Sequence, residues 1–224
     1  MTTDDELQAL VMERRGREFA FESLDPARTA HLVVDMQNVF VSDSGAAAVP
    51  GAPAIIPAIN QINLQVRRAG GTVVFLQNTW GAEALATWSN YFDFFWTPAK
   101  REELVASMAA EADGHKLSAE LVVEPEDIIV HKTRFSAFVP GSSDLDAMLR
   151  ARGIDTLIIT GVLTDVCCES TARDAAMMNY RVLFVADATA TYDVESQLSS
   201  QRVLKRSFCD VVDTGRVLFL LARK

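Results

Sequence analysis

Histidine, cysteine and positive charge are all scarce in this chain, and each scarcity closes off a class of function. Three cysteines, two of them adjacent at Cys167 and Cys168, do not make a disulfide framework. Lysine and arginine number 21 against 30 acidic residues, for a formal net charge of -9. That balance argues against nucleic acid as a partner, which calls for a basic face. No apolar run approaches the ~20 residues of a membrane-spanning helix. The opening "MTTDDELQAL" lacks the basic-then-apolar layout of a secretion signal. No internal repeat or low-complexity linker is present. These absences lead us to expect a cytoplasmic, reduced protein that meets a small molecule rather than nucleic acid or membrane. With 224 residues, the chain can bury a full core within one domain.

What is present is an alternation. "AHLVVDM" (30–36), "TVVFLQNT" (72–79), "DIIVHK" (127–132), "DTLIITG" (155–161) and "RVLFVADA" (181–188) read as buried strands. "PAIIPAINQINLQVRRAGG" (53–71), "SSDLDAMLRARG" (142–153), "TDVCCESTARDAAMMNY" (164–180) and "VESQLSSQRVLKRSF" (194–208) read as helices, with a short "DVV" and a terminal helical segment after them. Ser142 or Ser143 is expected to cap the second of these helices. Apolar strands alternating with helices predict a three-layer α/β/α fold on a mostly parallel sheet of about six strands. Residues 1–28 form an amphipathic arm whose spacing suits packing on a neighbouring subunit of a dimer or tetramer. Residues 29–224 form the main domain. Within it, 80–126 is a long aromatic-rich insertion, either a lid over a site or an oligomer surface.

In open α/β sheets, ligands bind beyond the carboxyl ends of the strands. Asp35 ends the first strand, Asn78 the second and Lys132 the third, and Cys167 lies just past the fourth. An acid, an amide, an ammonium and a thiol therefore converge on one rim. Any one of them alone has a bland reading: aspartate as a turn former, cysteine as core filler. Their joint placement favours a site. The histidines His31, His115 and His131 do not build a rival dyad. His131 adjoins Lys132 on a strand, where neighbours point to opposite faces, and His31 lies four residues upstream of Asp35, away from the rim.

Three blocks carry a family resemblance: "VVDMQNVF" around Asp35, "HKTRFSAF" around Lys132, and "GVLTDVCCESTARDA" from Gly161. From about Ala30 to about Asp213 the chain resembles the isochorismatase-like cysteine hydrolases. The G-x-x-T-x-x-C pattern of that family puts the nucleophile at Cys167, so that Cys168 packs, and the triad is Asp35, Lys132 and Cys167. The resemblance also implies an oxyanion hole from the backbone N–H groups of Leu163 and Cys167, beside a cis peptide at Val162–Leu163. The physical case agrees. A helix start near Thr164 and the Lys132 ammonium are expected to lower the Cys167 pKa, and Asp35 could take the thiol proton.

Departures within the family narrow the substrate. Residues 78–97 contain none of the histidines with which nicotinamidases hold a metal, so we expect no metal and no other cofactor. "LQNTW" resembles ureidoacrylate amidohydrolases, which implies Asn78 and Trp80 as substrate-binding residues. Phe135 stands where those enzymes carry tyrosine. Similarity also extends to N-carbamoylsarcosine amidases. The expected function is metal-independent hydrolysis of a small ureido, carbamoyl or amide C–N bond. The alternatives are a nicotinamidase-like amidase, a non-catalytic binder on the same fold, and, last, a redox protein using Cys167 and Cys168. Blander expectations cover the rest. The Trp88–Trp96 aromatics are read as packing or interface, Met177 and Met178 as core, Cys209 as buried filler, Lys205 and Arg206 as a solvated face, and Arg173 with Asp174 as an ion pair or hydrogen-bond anchor.

Overall fold

The computed structural model describes residues 4–223; the first three residues of the expected arm and the last residue of the main domain lie outside them. Among the described residues, one sheet forms from β1 (Thr29–Val34), β2 (Thr72–Asn78), β3 (Ile128–Lys132), β4 (Thr156–Val162), β5 (Arg181–Ala190) and β6 (Asp210–Val212). Its strand order is β3-β2-β1-β4-β5-β6, with every pairing parallel. Both faces are covered, so β1 and β4 are buried along their whole length, as parallel strands between two helical layers must be.

The helices are α1 (Asp4–Arg15), α2 (Asn38–Val41), α3 (Ala52–Ala69), α4 (Ala82–Thr87), α5 (Ser89–Phe94), α6 (Pro98–Ser107), α7 (Leu145–Ala151), α8 (Glu169–Met177), α9 (Val194–Ser207) and α10 (Thr214–Ala222). Helix α3 presents Ile55, Ile59, Ile62 and Val66 to one face of the sheet and shares that layer with Val217, Leu220 and Leu221 of α10. This is the spacing of an amphipathic stripe. Leu145 and Leu149 of α7, Ala172 and Ala175 of α8 and Leu204 of α9 fill the other layer. Helix α3 ends at Gly70, whose left-handed conformation closes the last turn by donating to Val66 and Arg67 carbonyls. No described helix is long and apolar enough to cross a membrane.

Several local contacts refine these expectations or add to them. Helix α7 starts at Leu145 with Asp144 before it, not at the serines. Ser143 instead accepts from the Leu145 N–H and donates to the Ala137 carbonyl, so it secures the preceding loop. Helix α1 packs on α9 of its own chain, burying Leu7 and Val11. Arg15 there pairs with Asp210 at 2.9 Å. Met177 is not core: it ends α8 on the outer side and is 69% exposed, while Met178 packs against the inner layer. Arg173 pairs with Glu169 one turn earlier rather than with Asp174, and its guanidinium also covers the Phe208 ring.

Candidate active site

The strand order creates the site. From β1 the chain runs outward through β2 to β3, then returns to β4 on the other side of β1. The crossovers therefore leave in opposite directions from β1 and β4, and a crevice opens beyond their carboxyl ends. The register levels those ends. Val34 is opposite Leu76 on one side and Gly161 on the other, and Asn78 is opposite Lys132. Gly161 makes the close approach possible. Its φ is 111°, and an added Cβ would fall 2.1 Å from the Val34 carbonyl oxygen. Asp35 follows at once in a left-handed conformation, φ 52°, a region that aspartate enters more readily than most residues. That turn ends the strand and aims the carboxyl into the crevice, while the Asp35 N–H still donates to the Leu76 carbonyl.

Lys132 arrives from the end of β3, and its Nζ lies 2.8 Å from Asp35 Oδ2. It also donates to the Arg134 carbonyl at 3.1 Å. Its side chain is 0% exposed. On the same strand His131 faces solvent, so the alternation of strand side chains separates the two as expected. Past β4 the Val162–Leu163 peptide is cis. A tight π-helical turn, Thr164–Cys168, then leads into α8. This turn sets Cys167 against Asp35 and Lys132, with which its thiol interacts. Thr164 holds the turn in place by donating to Gln197 of α9 at 2.6 Å. Cys168 points into the layer beneath, with Sγ 3.8 Å from the Thr160 carbonyl.

Electrostatics revise one expectation. Burial pushes the Cys167 thiol up, and Lys132 only partly opposes this, while Asp35 adds to it. The thiol is therefore protonated at rest rather than a standing thiolate. Burial also raises Asp35 against the pull of Lys132, which makes it a stronger base than a free carboxyl. Burial opposes charge on Lys132 as well, but Asp35 and Cys167 outweigh it and the lysine ends raised. It remains an ammonium. Moving the thiol proton to Asp35 exchanges one buried anion for another beside this fixed cation. The transfer thus leaves the net charge of the three groups unchanged.

Asp35 and Cys167 line a cavity of about 210 Å³ together with Asn78, Trp80, Phe135 and Leu163. The residues assigned to the site from the sequence therefore meet in one place, with Lys132 behind Asp35. Residues not assigned to the site from the sequence complete its wall: Tyr91, Trp96, Leu104 and Met108 from the insertion, and Phe40, Val166 and Tyr192 from elsewhere. The insertion supplies one wall of the cavity. Its rings pack on one another and on Phe135, edge to face for Trp80 and Phe92, with centroids 5.1 Å apart, and for Trp88 and Phe135, 4.9 Å apart, and stacked for Trp88 and Tyr91. The "TWSNYFDFFW" run, read from the sequence as packing or interface, brings Tyr91 and Trp96 to this wall, while Phe94 and Phe95 in it point to solvent. Gln37, in the first motif block, was also missed. It accepts from the Asn78 N–H and donates to the Asn78 and His115 carbonyls, tying the ends of β1 and β2 to the insertion. Among the cavity-lining residues, the buried Asn78 Oδ1, Trp80 Nε1 and Trp96 Nε1 lack hydrogen-bond partners, while the Asp35 carboxylate is held by its ion pair with Lys132. No described cluster of three or more His, Cys, Asp or Glu side chains is gathered as a metal centre requires.

Comparison with known proteins places this geometry. Residues 29–216 match the isochorismatase domain. The ureidoacrylate amidohydrolase RutB of Variovorax paradoxus (strain S110) is 38% identical over 194 residues, covering 80% of this chain and 74% of that protein. A solved cysteine hydrolase from Pseudomonas syringae pv. phaseolicola superposes with a TM-score of 0.78 at 27% identity, over 92% of this chain and 97% of that one. N-carbamoylsarcosine amidase from Thermoplasma acidophilum does so with a TM-score of 0.65, also at 27% identity, over 84% and 96%. By sequence along most of its length, and by the six-stranded parallel fold that carries its crevice, the chain belongs to the isochorismatase-domain family.

Proposed function

We propose that this protein is an amidohydrolase that cleaves the C–N bond of a small ureido, carbamoyl or amide molecule, with Cys167 as nucleophile. The observation that carries the reading is the meeting of Asp35, Lys132 and Cys167 at the end of a cavity, each delivered by a different strand. The names of the ureidoacrylate amidohydrolase and N-carbamoylsarcosine amidase relatives support the substrate class.

Asp35 takes the thiol proton as sulfur attacks the carbonyl carbon, forming a C–S bond. The backbone N–H groups of Leu163 and Cys167 hold the resulting oxyanion. Collapse of the tetrahedral adduct breaks the C–N bond, and Asp35 passes its proton to the departing nitrogen, which leaves as ammonia or an amine. Water then gives a proton to Asp35 and attacks the thioester or thiocarbamate. The acid product departs and the thiol is restored with its proton. Lys132 stays charged throughout and offsets whichever anion is present. Asn78 Oδ1 accepts a substrate N–H and Trp80 Nε1 donates to a substrate oxygen, so both buried atoms acquire the partners they lack. Phe135 adds an apolar wall.

The test is ammonia release and intact-protein mass on a panel of ureas, carbamoyl compounds and amides. Cys167→Ser and Cys167→Ala should lose turnover and any acyl adduct while remaining folded, and Cys168→Ala should keep most activity. An active Cys167→Ala protein, or an adduct mapped to Cys168, refutes the assignment.

A further inference from the structure

The cavity wall has a property that the catalytic groups do not require: it offers no free positive charge. Its lining is aromatic and aliphatic apart from Asp35, Asn78 and Cys167, and no Arg, Lys or His is among the described lining residues. Lys132 stands behind Asp35 and is already paired with it. Cations on the surrounding segments are committed elsewhere. Lys100 binds the Ala46 carbonyl and Glu103, and Arg101 pairs with Asp93 at 2.6 Å. Arg134 lies 5.1 Å from the Trp88 ring centroid and hydrogen-bonds Thr87 and Thr133.

We infer that the substrate of this site is electrically neutral and carries an apolar group, and that a ureido acid bearing a free carboxylate is a poor ligand. The inference rests on the amidohydrolase reading and specifies its substrate. A carboxylate taken out of water needs a paired cation or several donors. The cavity supplies the neutral indole N–H groups of Trp80 and Trp96 and one amide oxygen without partners, and no cation beside them, a set that suits a neutral amide or ureido head. The negative charge of Asp35 already cancels the positive charge of Lys132, so an incoming anion meets no net attraction. In a space of about 210 Å³, smaller than the ~300 Å³ at which drug-sized pockets begin, a carboxylate would also lie close to the oxyanion that forms at the reacting carbon. The like charges would repel. An alkyl or aryl group in the same place would instead be buried against Tyr91, Phe135, Leu104 and Met108.

The experiment uses a shape-matched pair, isopentylurea and β-ureidopropionate, in which a branched methyl pair replaces the carboxylate oxygens. Binding of each to Cys167→Ala is measured by calorimetry, so that the result does not depend on turnover, and kcat/KM is measured for the native protein. The neutral urea should bind at least about tenfold more tightly, as expected where a buried charge lacks a partner. Tyr192→Arg places a cation in the wall at a position 52% exposed, where the fold tolerates it, and should narrow or reverse the ratio. Equal or tighter binding of the acid, or no binding of either at millimolar concentration, overturns the inference. A retained neutral preference with no turnover and no acyl-Cys167 in the native protein refutes the amidohydrolase reading and leaves the charge selectivity standing.

Discussion

Replacing Lys132 with methionine separates the electrostatic role of this residue from its bulk. Methionine keeps an unbranched apolar stem but removes the ammonium 2.8 Å from Asp35 Oδ2, in a place where the two side chains are 0% and 1% exposed. Breaking one side of a buried pair costs ~3–5 kcal/mol, a large share of a typical stability of ~5–15 kcal/mol. An independent route gives a similar ceiling. The stranded carboxylate can escape its cost by taking a proton, and holding an ordinary carboxyl of pKa ~3.9 protonated at pH ~7 costs about 4 kcal/mol at ~1.4 kcal/mol per unit. The sign follows from that escape. Without Lys132 to oppose burial, the folded-state pKa of Asp35 rises further above its unfolded value. Between the two values the folded protein binds the extra proton, so stability is lost as pH rises and regained as it falls. Urea unfolding of native, Lys132→Met and Asp35→Asn/Lys132→Met proteins should show a deficit of ~3–5 kcal/mol for the single variant at pH ~7, shrinking by up to ~1.4 kcal/mol per unit toward pH ~5. The double variant, with no buried charge left, should recover most of that deficit and remain inactive. A single-variant deficit below ~1 kcal/mol, or one constant across this range, would refute the buried-pair argument.

Two further perturbations probe the frame around the site. His31 lies inside the sheet between Asn63 Oδ1 at 2.7 Å and Thr160 Oγ1 at 2.8 Å, and burial lowers its pKa to about 3. Unfolded chains bind the His31 proton below pH ~6.5 while the folded one resists until about 3, so His31 subtracts up to ~1.4 kcal/mol of stability per unit as pH falls through that window. His31→Gln should flatten the acid limb of the stability curve between pH ~6 and ~4, and unchanged slopes would show that the ring already protonates in the fold. Gly161→Ala forces a Cβ to within 2.1 Å of the Val34 carbonyl oxygen at a φ of 111°. It should cost at least ~2 kcal/mol in thermal or urea unfolding and, by pushing β4 from β1, lower kcat more than it raises KM; a stable variant with native kcat would contradict the role given to that contact.

The layout of the strands was legible in the sequence because a parallel sheet covered on both faces leaves its strands no polar side. "HLVV", "TVVFL" and "TLIIT" could hardly pack in any other way. Chain direction then placed Asp35, Asn78, Lys132 and Cys167 on one rim, since every strand must deliver its last residue to the same edge. The wall of the cavity was not legible to the same degree. Helices α4 and α5 are six residues each, too short for a hydrophobic period to show which ring faces inward. Tyr91 lines the cavity and Phe92 is buried beneath it, while Phe94 is 80% exposed. Tyr192 follows β5 with no local signal. The Cys167 thiol shows the same limit in energetic form. Its neighbours along the chain and Lys132 are local features, and both argue for a lowered pKa. Desolvation is set by what the whole fold places around the sulfur, and it reverses the direction. The charge content of the cavity belongs to that second kind. The arginines and lysines of the flanking segments are plain in the sequence, and only their ion pairs, ring contacts and carbonyl bonds remove them from the substrate's reach. Motif residues therefore fix which bond the site can attack. The packing of residues outside the motifs decides which molecules bring that bond to it.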